Sequence, residues 1–262
     1  MTLYTTLGAN LVCEWDSRQA STIFEDTAGT DAAENADGVA CWKTTSNSAT
    51  AANLIQSTVG SRPTYTSDVG DGKPGIDFDG SADHLIAAHA SALNVTKAVV
   101  AAVITPDSVS SFGGIITKDF DAFTNGYSLT TRGDGTAGYW WGPDAYNRCA
   151  MSDSTTGTRC LLVGIWNGTS SIFLKDSLKV LAVQAGANGT DTGDLYVGRA
   201  FSGAFYFNGR IHHLLVCSDL SVNQVCDMQA YLMDDWGIAG GPSLPSAGTS
   251  RPSNPFMQQV IG

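Results

Sequence analysis

The sequence contains little charge and very little glutamate. Charged residues make up 15% of its 262 residues, and of the 25 acidic residues only three are glutamate, namely Glu14, Glu25 and Glu34. Exposed helices favour Glu, Lys, Leu and Arg, whereas small, turn-forming and β-branched residues suit short strands. The composition therefore argues against a mainly helical protein.

Several other features are absent. The longest apolar run, residues 98–104, is far shorter than the roughly 20 residues of a membrane span. The first residues contain no basic segment followed by an apolar stretch, so we see no secretory signal. The net charge of −11 and the pI near 4.5 argue against binding nucleic acid through its phosphates. We therefore expect neither a membrane nor a nucleic acid as a partner.

The six cysteines lack the spacing of a zinc site, since the sequence has no Cys-x-x-Cys motif and no suitably spaced Cys/His pair. Without a secretory signal, synthesis in a reducing cytosol predicts free thiols. Cys13 and Cys217 lie in apolar runs, as buried cysteines do. The even number leaves a disulfide open, and Cys149 and Cys160, which could flank a hairpin, are the candidate pair.

Short apolar or alternating runs recur along the chain and are separated by Asp-Gly, Asn-Gly and glycine-rich turns. This pattern predicts an all-β sandwich or barrel. Two almost continuous apolar runs, Ala98–Thr105 and Leu161–Trp166, predict central strands buried on both faces. The other predicted strands are Leu11–Trp15, Gly75–Phe78, His84–Ala88, Gly114–Thr117, Tyr127–Thr130, Gly138–Trp141, Ser171–Leu174, Leu178–Val183, Asp194–Val197 and Ile211–Cys217.

One helix is predicted near the end of the chain. Ser221 and Gln224 match a capping box, and Gly237 supplies a C-terminal stop. Between them, apolar side chains recur at helical spacing at Val225, Met228, Leu232 and Trp236. An earlier short helix is expected over Asp16–Ile23.

The last part of the chain has a different composition. Residues 240–255 are rich in Pro, Gly and Ser, which indicates an extended linker, and an apolar peptide follows. We therefore divide the chain into a domain of residues 1–239 and an arm of residues 240–262. Docking of the arm on a partner is predicted through Phe256, Met257, Val260 and Ile261. The alternative is that the arm packs along its own domain.

Several segments occur in an order that resembles one known fold family. They are Leu11–Asp16, Ile23–Thr30, Asp37–Lys43, Arg62–Tyr65, Gly75–Leu85, Phe207–Ser221 and Tyr231–Ile238. Over about residues 10–239 the chain resembles concanavalin A-like (laminin-G-like) jelly-roll domains, of the branch found in phage virion proteins. The resemblance implies an all-β jelly-roll sandwich with one short C-terminal helix and an extended C-terminal arm. Where that branch usually has Asp-x-Ser-Gly-x-Gly-Asn, the chain reads Lys-Thr-Thr-Ser-Asn-Ser from Lys43.

Some relatives of this fold are glycosidases, and their catalytic carboxylates commonly come from Glu-x-Asp-x-x-Glu on one strand. This motif is absent, because no glutamate follows residue 34. Asp77 and Asp79 alternate along one strand, but they lie in a Phe-Asp-Gly turn, where Asp typically forms the turn itself. The sequence also lacks a Gly-x-Ser-x-Gly elbow and a phosphate-binding glycine loop. We predict a protein without enzymatic activity.

The densest aromatic segment contains Tyr139, Trp141, Asp144 and Tyr146. Aromatic rings can stack on sugars and carboxylates can accept from their hydroxyls, so these four residues are candidate ligands for a glycan. On a strand, Tyr139 and Trp141 share one face while Trp140 takes the other. The simpler interpretation is that one face packs in the core and the other lies beneath a loop.

Ion binding is expected only as an implication of the resemblance. Domains of this fold often hold a structural calcium through loop aspartates and carbonyl oxygens, and Asp79 and Asp83 are the candidate ligands. No other cofactor is expected. His212 and His213 lie within a predicted strand, and alternation would place their side chains on opposite faces.

Two functions are weighed. The first is a structural protein of a virion, such as a capsid decoration, fibre or tail component, made in the host cytoplasm. It would dock on other virion proteins through its arm and form a homo-oligomer within the assembly. The alternative is a carbohydrate-binding module or adhesin that binds cell-surface glycans, located at a cell surface or outside the cell. The two are compatible, since a virion protein can also adhere to cells.

Overall fold

A computed structural model describes residues 6–45, 52–108, 112–118, 126–131, 137–141, 148–151, 156–176, 180–185, 192–200 and 205–240. For residues 138–141, 148–151 and 180–185 the description covers the backbone. Within these ranges the chain forms two β-sheets and one α-helix, α1, which spans Val222–Asp235. Single turns of 3-10 helix span Gly8–Asn10, Ala20–Thr22, Val59–Ser61 and Ser91–Leu93.

The first sheet, called the back sheet, is antiparallel and has eight described strands. These are β1 (Leu11–Asp16), β5 (Thr64–Thr66), β6 (Gly75–Asp79), β8 (Ala98–Pro106), β13 (Cys160–Trp166), β14 (Ser170–Lys175), β15 (Val180–Ala185) and β19 (Asn208–Ser218). Their order is β15-β14-β13-β8-β19-β6-β5, and β1 pairs with the part of β19 that lies beyond β6.

The second sheet, called the front sheet, has eleven described strands. These are β2 (Ile23–Phe24), β3 (Cys41–Trp42), β4 (Leu54–Ile55), β7 (Leu85–Ala87), β9 (Gly113–Lys118), β10 (Tyr127–Thr131), β11 (Ala137–Trp141), β12 (Arg148–Met151), β16 (Leu195–Val197), β17 (Arg199–Ala200) and β18 (Phe205–Tyr206). Their order is β12-β11-β10-β9-β16-β7-β4-β3-β2, and the small hairpin β17–β18 joins β9.

The back sheet is buried on both faces. Alternate residues of β8 point into the core between the sheets, as Val100 and Ala102 do, while Val99 and Ala101 contact the layer formed by α1. The prediction of central strands at Ala98–Thr105 and Leu161–Trp166 is therefore confirmed. So is the fold class, an all-β sandwich with one helix. None of the described helices is long and apolar enough to span a membrane.

The helix forms as the sequence predicts. The Ser221 side chain accepts from the Gln224 N–H, and the Gln224 side chain accepts from the Ser221 N–H at 3.0 Å, which closes the capping box. Its apolar side chains pack on the back sheet, and Gly237 follows with a φ of 66°. The short helix expected over Asp16–Ile23 is reduced to a single 3-10 turn at Ala20–Thr22. The Asp16 carboxylate accepts from the Arg18 N–H and forms a tight turn there.

The thiols of Cys13, Cys41, Cys160 and Cys217 are free and, like that of Cys226, are buried. Burial raises the pKa of the Cys13 and Cys160 thiols to about 12, so both remain protonated. The alternative of a Cys149–Cys160 disulfide is thus excluded. The arm of residues 240–262 lies outside the described residues beyond Gly240, so its separation from the domain stays a prediction.

Candidate functional site

The outer face of the front sheet carries a row of side chains that crosses five strands. Cross-strand pairing places Ser128, Thr117, Tyr196, Ile86 and Ile55 side by side in that order. At least one chain neighbour of each belongs to the core between the sheets, so alternation directs these five outward. We call this set the front row.

Polarity changes along the front row. At one end the hydroxyls of Thr117 and Ser128 are buried and hydrogen-bonded to each other at 2.8 Å. Beyond them, Tyr196, Ile86 and Ile55 are half-buried. The row therefore presents an aromatic ring and aliphatic groups to solvent next to a fixed polar pair.

A tight turn brings a cation to the front row. Gly198 directly follows strand β16 and has a φ of 81°, a conformation that favours glycine. A Cβ at this position would lie 2.2 Å from the Phe78 ring. The chain then enters hairpin β17–β18, whose backbone lies directly on Gly114. A Cβ on Gly114 would lie 2.2 Å from the Ala200 nitrogen. These two glycines thus allow Arg199 to reach the outer face beside Tyr196.

Four side chains meet there, and we call them the front cluster: Tyr196, Arg199, Tyr206 and His84. The Arg199 guanidinium carbon lies 4.6 Å from the centre of the Tyr196 ring, within the range of a cation–π contact. Arg199 pairs across the hairpin with Tyr206, and the Tyr206 ring lies 6.1 Å from the His84 ring. All four are half-buried.

His84 is held in one orientation. Its Nδ1 lies 2.8 Å from the Ala82 carbonyl oxygen and therefore donates, which leaves Nε2 to accept from the Gln56 amide at 3.2 Å. Burial lowers the pKa of His84, and the nearby Arg199 charge lowers it further, although the Ala82 carbonyl opposes them. The imidazole is consequently neutral at pH 7, and Arg199 supplies the positive charge of the cluster.

Arg199 has no acceptor among the described residues. No ion pair or hydrogen bond of its side chain occurs there, and its Nε is buried without a hydrogen-bond partner. The phenol groups of Tyr196 and Tyr206 likewise make no hydrogen bond to the described part of the chain. The front cluster therefore offers two phenols and one cation that make no hydrogen bond within the described residues, beside an imidazole whose two nitrogens are both engaged.

A second polar cluster lies on the back face, around the fully buried Trp236 at the end of α1. The guanidinium carbons of Arg18 and Arg159 lie 4.7 Å and 5.6 Å from its ring centre, and the Lys73 ammonium lies at 5.8 Å. Arg18 also pairs with Asp16 at 2.7 Å and with Asp235. We call this set the back cluster.

Hydrogen bonds extend the back cluster into the sheet. The Trp236 indole donates to His213 Nδ1 at 3.2 Å, so His213 donates from Nε2 to the Glu14 carboxylate at 3.0 Å. Thr45 donates to the other Glu14 oxygen at 2.7 Å. Burial by itself would raise the pKa of Glu14, but the bonds from His213 and Thr45 outweigh it and lower the pKa. Glu14, whose side chain is 14% exposed, is therefore structural.

The expectation that His212 and His213 point to opposite faces is wrong. Both rings lie beside Trp236, at centroid distances of 5.3 Å and 6.1 Å. The pairing of β19 is irregular between Ile211 and His213, and such a bulge interrupts strict alternation. His212 donates to the Pro74 carbonyl and accepts from the Thr105 hydroxyl, and burial lowers its pKa to about 4.

The glycan ligands predicted from the sequence fall only partly in the described residues. Tyr139 and Trp141 occupy positions of β11 opposite Leu129 and Tyr127, which both belong to the core. Trp140 occupies the position opposite Ser128, in line with the front row. Asp144 and Tyr146 lie outside the described residues, as do the docking residues Phe256, Met257, Val260 and Ile261. Glycan contact and docking by these residues stay predictions.

Asp79 and Asp83 form a turn between β6 and β7. One Asp79 oxygen accepts from the N–H groups of Ser81, Ala82 and Asp83 at 2.8–3.0 Å, and the other accepts from the Ser81 hydroxyl. Asp83 in turn accepts from the Asp79 N–H at 3.1 Å. No group of three or more His, Cys, Asp or Glu side chains suited to a metal occurs in the described ranges. Calcium binding by this pair stays a prediction.

The front cluster is not apparent in the sequence. Its members come from three separate segments, which only the strand register brings together. One signal was available: no acidic residue occurs between Asp194 and Asp219, although the chain has 25 of them, and Arg199 lies in this interval. The alternating Leu-Tyr-Val of β16 also indicates an outward tyrosine at position 196.

Comparison with known proteins places the fold among lectin-like β-sandwiches. Trypanosoma rangeli sialidase in complex with sialic acid superposes with a TM-score of 0.58 at 13% identity, over 87% of this chain and 33% of the sialidase chain. The chain thus spans about a third of the length of the sialidase chains that it matches. Domain 4 of AbnA, a GH43 extracellular arabinanase from Geobacillus stearothermophilus, in complex with arabinotriose, superposes with a TM-score of 0.52 at 12% identity, over 84% of this chain and 98% of that domain. No protein-family model and no curated protein matches the chain.

Proposed function

We propose that this domain is a carbohydrate-binding module and that its front cluster binds the saccharide. The observation that carries the proposal is the half-buried Tyr196 ring on the outer face of a lectin-like sandwich. It lies beside a second tyrosine and a guanidinium that has no acceptor in the described residues. Sugar rings combine apolar C–H faces with hydroxyls, so an aromatic ring flanked by unused polar groups suits them. The arabinanase domain, which matches over nearly its whole length, is itself in complex with arabinotriose, and this supports the proposal.

Binding rather than hydrolysis is the proposed activity. Glycosidases of the common type need two carboxyl groups on either side of the scissile bond. The front cluster contains none, and Glu14 is engaged on the back face by His213 and Thr45. The virion role predicted from the resemblance and the arm stays a prediction, since its docking residues lie outside the described ranges.

Calorimetric titration of the whole chain with a panel of neutral and acidic oligosaccharides, including arabinotriose, tests the proposal. We expect at least one saccharide to bind and Tyr196→Ala to weaken it up to about tenfold through loss of the ring. Tyr231→Ala serves as the control, because Tyr231 is a half-buried tyrosine on α1 at the back face. Absence of binding across the panel, or equal weakening by both variants, would contradict the proposal.

A further inference from the structure

We infer that the saccharide bound at the front cluster is acidic and that Arg199 binds its carboxylate. This inference rests on the proposed function and adds the chemical class of the ligand. The acceptors of the other arginine and lysine side chains provide the comparison.

Every other arginine or lysine side chain that the structure describes has an acceptor. Arg18, Lys97, Arg159, Lys175 and Arg210 form ion pairs with aspartates. Lys43, Arg62, Lys73 and Lys118 donate to backbone carbonyl oxygens. In a chain with 25 acidic and 14 basic residues, a cation without any acceptor is unexpected. Arg199 is that exception within the described ranges.

Burial of Arg199 without an acceptor costs the folded protein free energy. Arg199 is half-buried, and its Nε is inaccessible and lacks an acceptor, so that N–H has lost water without replacement. The terminal N–H groups of the guanidinium also lack an acceptor in the described residues but are not inaccessible, so a ligand oxygen can bind them. The guanidinium presents its N–H groups as a planar fork, which matches the two oxygens of a carboxylate.

The surroundings of Arg199 favour a sugar acid over a small free anion. Tyr196 lies against the guanidinium at 4.6 Å, and Ile86 follows Tyr196 in the front row, so an apolar surface adjoins the cation. A saccharide whose ring lies on this surface can direct its carboxylate to Arg199. Neutral His84 adds no competing charge.

Pairs of saccharides that differ in one charge provide the test. We would titrate the whole chain with trigalacturonate and its methyl ester, and with sialyllactose and lactose, which also separates uronic from sialic acids. At least one acid should bind about tenfold or more tightly than its neutral counterpart. Arg199→Gln should remove that preference, whereas Arg199→Lys should retain part of it. Arg210→Gln, on the back sheet, is the control and should leave it unchanged.

The outcomes separate this inference from the proposed function. If acid and neutral forms bind equally, or if Arg199→Gln leaves the preference intact, the carboxylate contact is refuted while carbohydrate binding stands. A sulfated saccharide bound through Arg199 in preference to both acids refutes the assignment of a carboxylate. Absence of binding to every saccharide refutes both. Thermal unfolding of each variant checks that it is folded.

Discussion

The arginines on the two outer faces of this sandwich differ in whether they pair with aspartates. On the back face, Arg18 and Arg159 lie beside the Trp236 ring and both pair with aspartates. On the front face, Arg199 lies beside the Tyr196 ring at a similar distance and pairs with none in the described residues. The same motif, a guanidinium beside an aromatic ring, is thus completed internally on one face and left open on the other.

This difference between the two faces assigns the back cluster to stability and the front cluster to ligand binding. A closed network satisfies each buried polar group and fixes α1 against the sheet, which favours the folded state. An open cation costs the folded protein free energy, and proteins tolerate such a cost where a ligand removes it. Changes to the back cluster should therefore affect unfolding, and matched changes to the front cluster should affect ligand binding.

Replacement of the two aromatic rings gives the largest expected contrast. Trp236→Ala should lower the free energy of unfolding by about 3–5 kcal/mol, because a fully buried ring is lost and His213 Nδ1 loses its donor. Tyr196→Ala should cost only about 1 kcal/mol, since Tyr196 is half-buried. Urea denaturation of both variants measures the difference. Equal destabilisation would contradict the distinction between the faces.

The sequence indicated the helix that completes the back cluster but not the cluster itself. Helical periodicity and the capping box lie within a few residues, so they can be read along the chain, and both were confirmed at Ser221 and Gln224. Trp236 could be predicted as buried but not as the centre of a network. Its partners come from the start of the chain, from residues 71–74 and from β19, and one irregular pairing turned His212 to their side.

The same reason explains what was missed at the front. Strands of two residues, such as β17 and β18, are too short for any alternation to indicate them. The aromatic segment at Tyr139 was visible because its residues are contiguous. Tyr196 and His84 join one cluster only through strand pairing and the turn at Gly198, which depend on contacts distant in sequence.

Acid should lower the free energy of unfolding through His212, which lies on the back face. Its pKa is about 4 in the folded protein against an ordinary 6.5, so the unfolded chain binds more protons between these values. Stability should therefore fall as the pH decreases from 6.5 to 4, by on the order of 3 kcal/mol from this group. Arg159, Arg210 and Asp71 also act on this histidine electrostatically.

The variant His212→Gln isolates that contribution. Glutamine can still donate to the Pro74 carbonyl and accept from Thr105, but it does not titrate. Its free energy of unfolding should change less than that of the wild type between pH 6.5 and 4, because the contribution of His212 is gone. Some change remains, since carboxyl groups titrate in both proteins. Parallel pH profiles would show that His212 is not the group responsible.

Matched arginine substitutions test the pairing directly. Arg18→Met should cost about 2 kcal/mol, because it leaves the buried Asp16 carboxylate without its cation. The figure lies below that of a fully buried pair, since the Arg18 side chain is 26% exposed. Arg199→Met should change stability by less than about 0.5 kcal/mol or raise it. Chemical denaturation compares them, and a larger loss for Arg199→Met would overturn the comparison.

A gain in stability, opposite in sign to the losses above, is expected from a change at Asp83, in the turn that joins the two sheets. Burial and the neighbouring Asp79 charge raise the pKa of Asp83 from its ordinary 3.8 to about 6. The folded protein binds the extra proton between these values, so stability falls as the pH rises through them. Asp83→Asn keeps the acceptor for the Asp79 N–H and removes the charge. It should raise the free energy of unfolding by up to about 3 kcal/mol at pH 7.5 and leave it almost unchanged at pH 4.

Calcium gives this last comparison a second outcome. If Asp79 and Asp83 bind the ion, as the resemblance predicts, calcium should raise the melting temperature of the wild type at pH 7.5, because only the folded state binds it. Asp83→Asn would then be less stable than the wild type in calcium, the reverse of its effect in EDTA. A calcium-independent gain in the variant would identify Asp83, like Arg199, as a charge without an oppositely charged partner in the described residues.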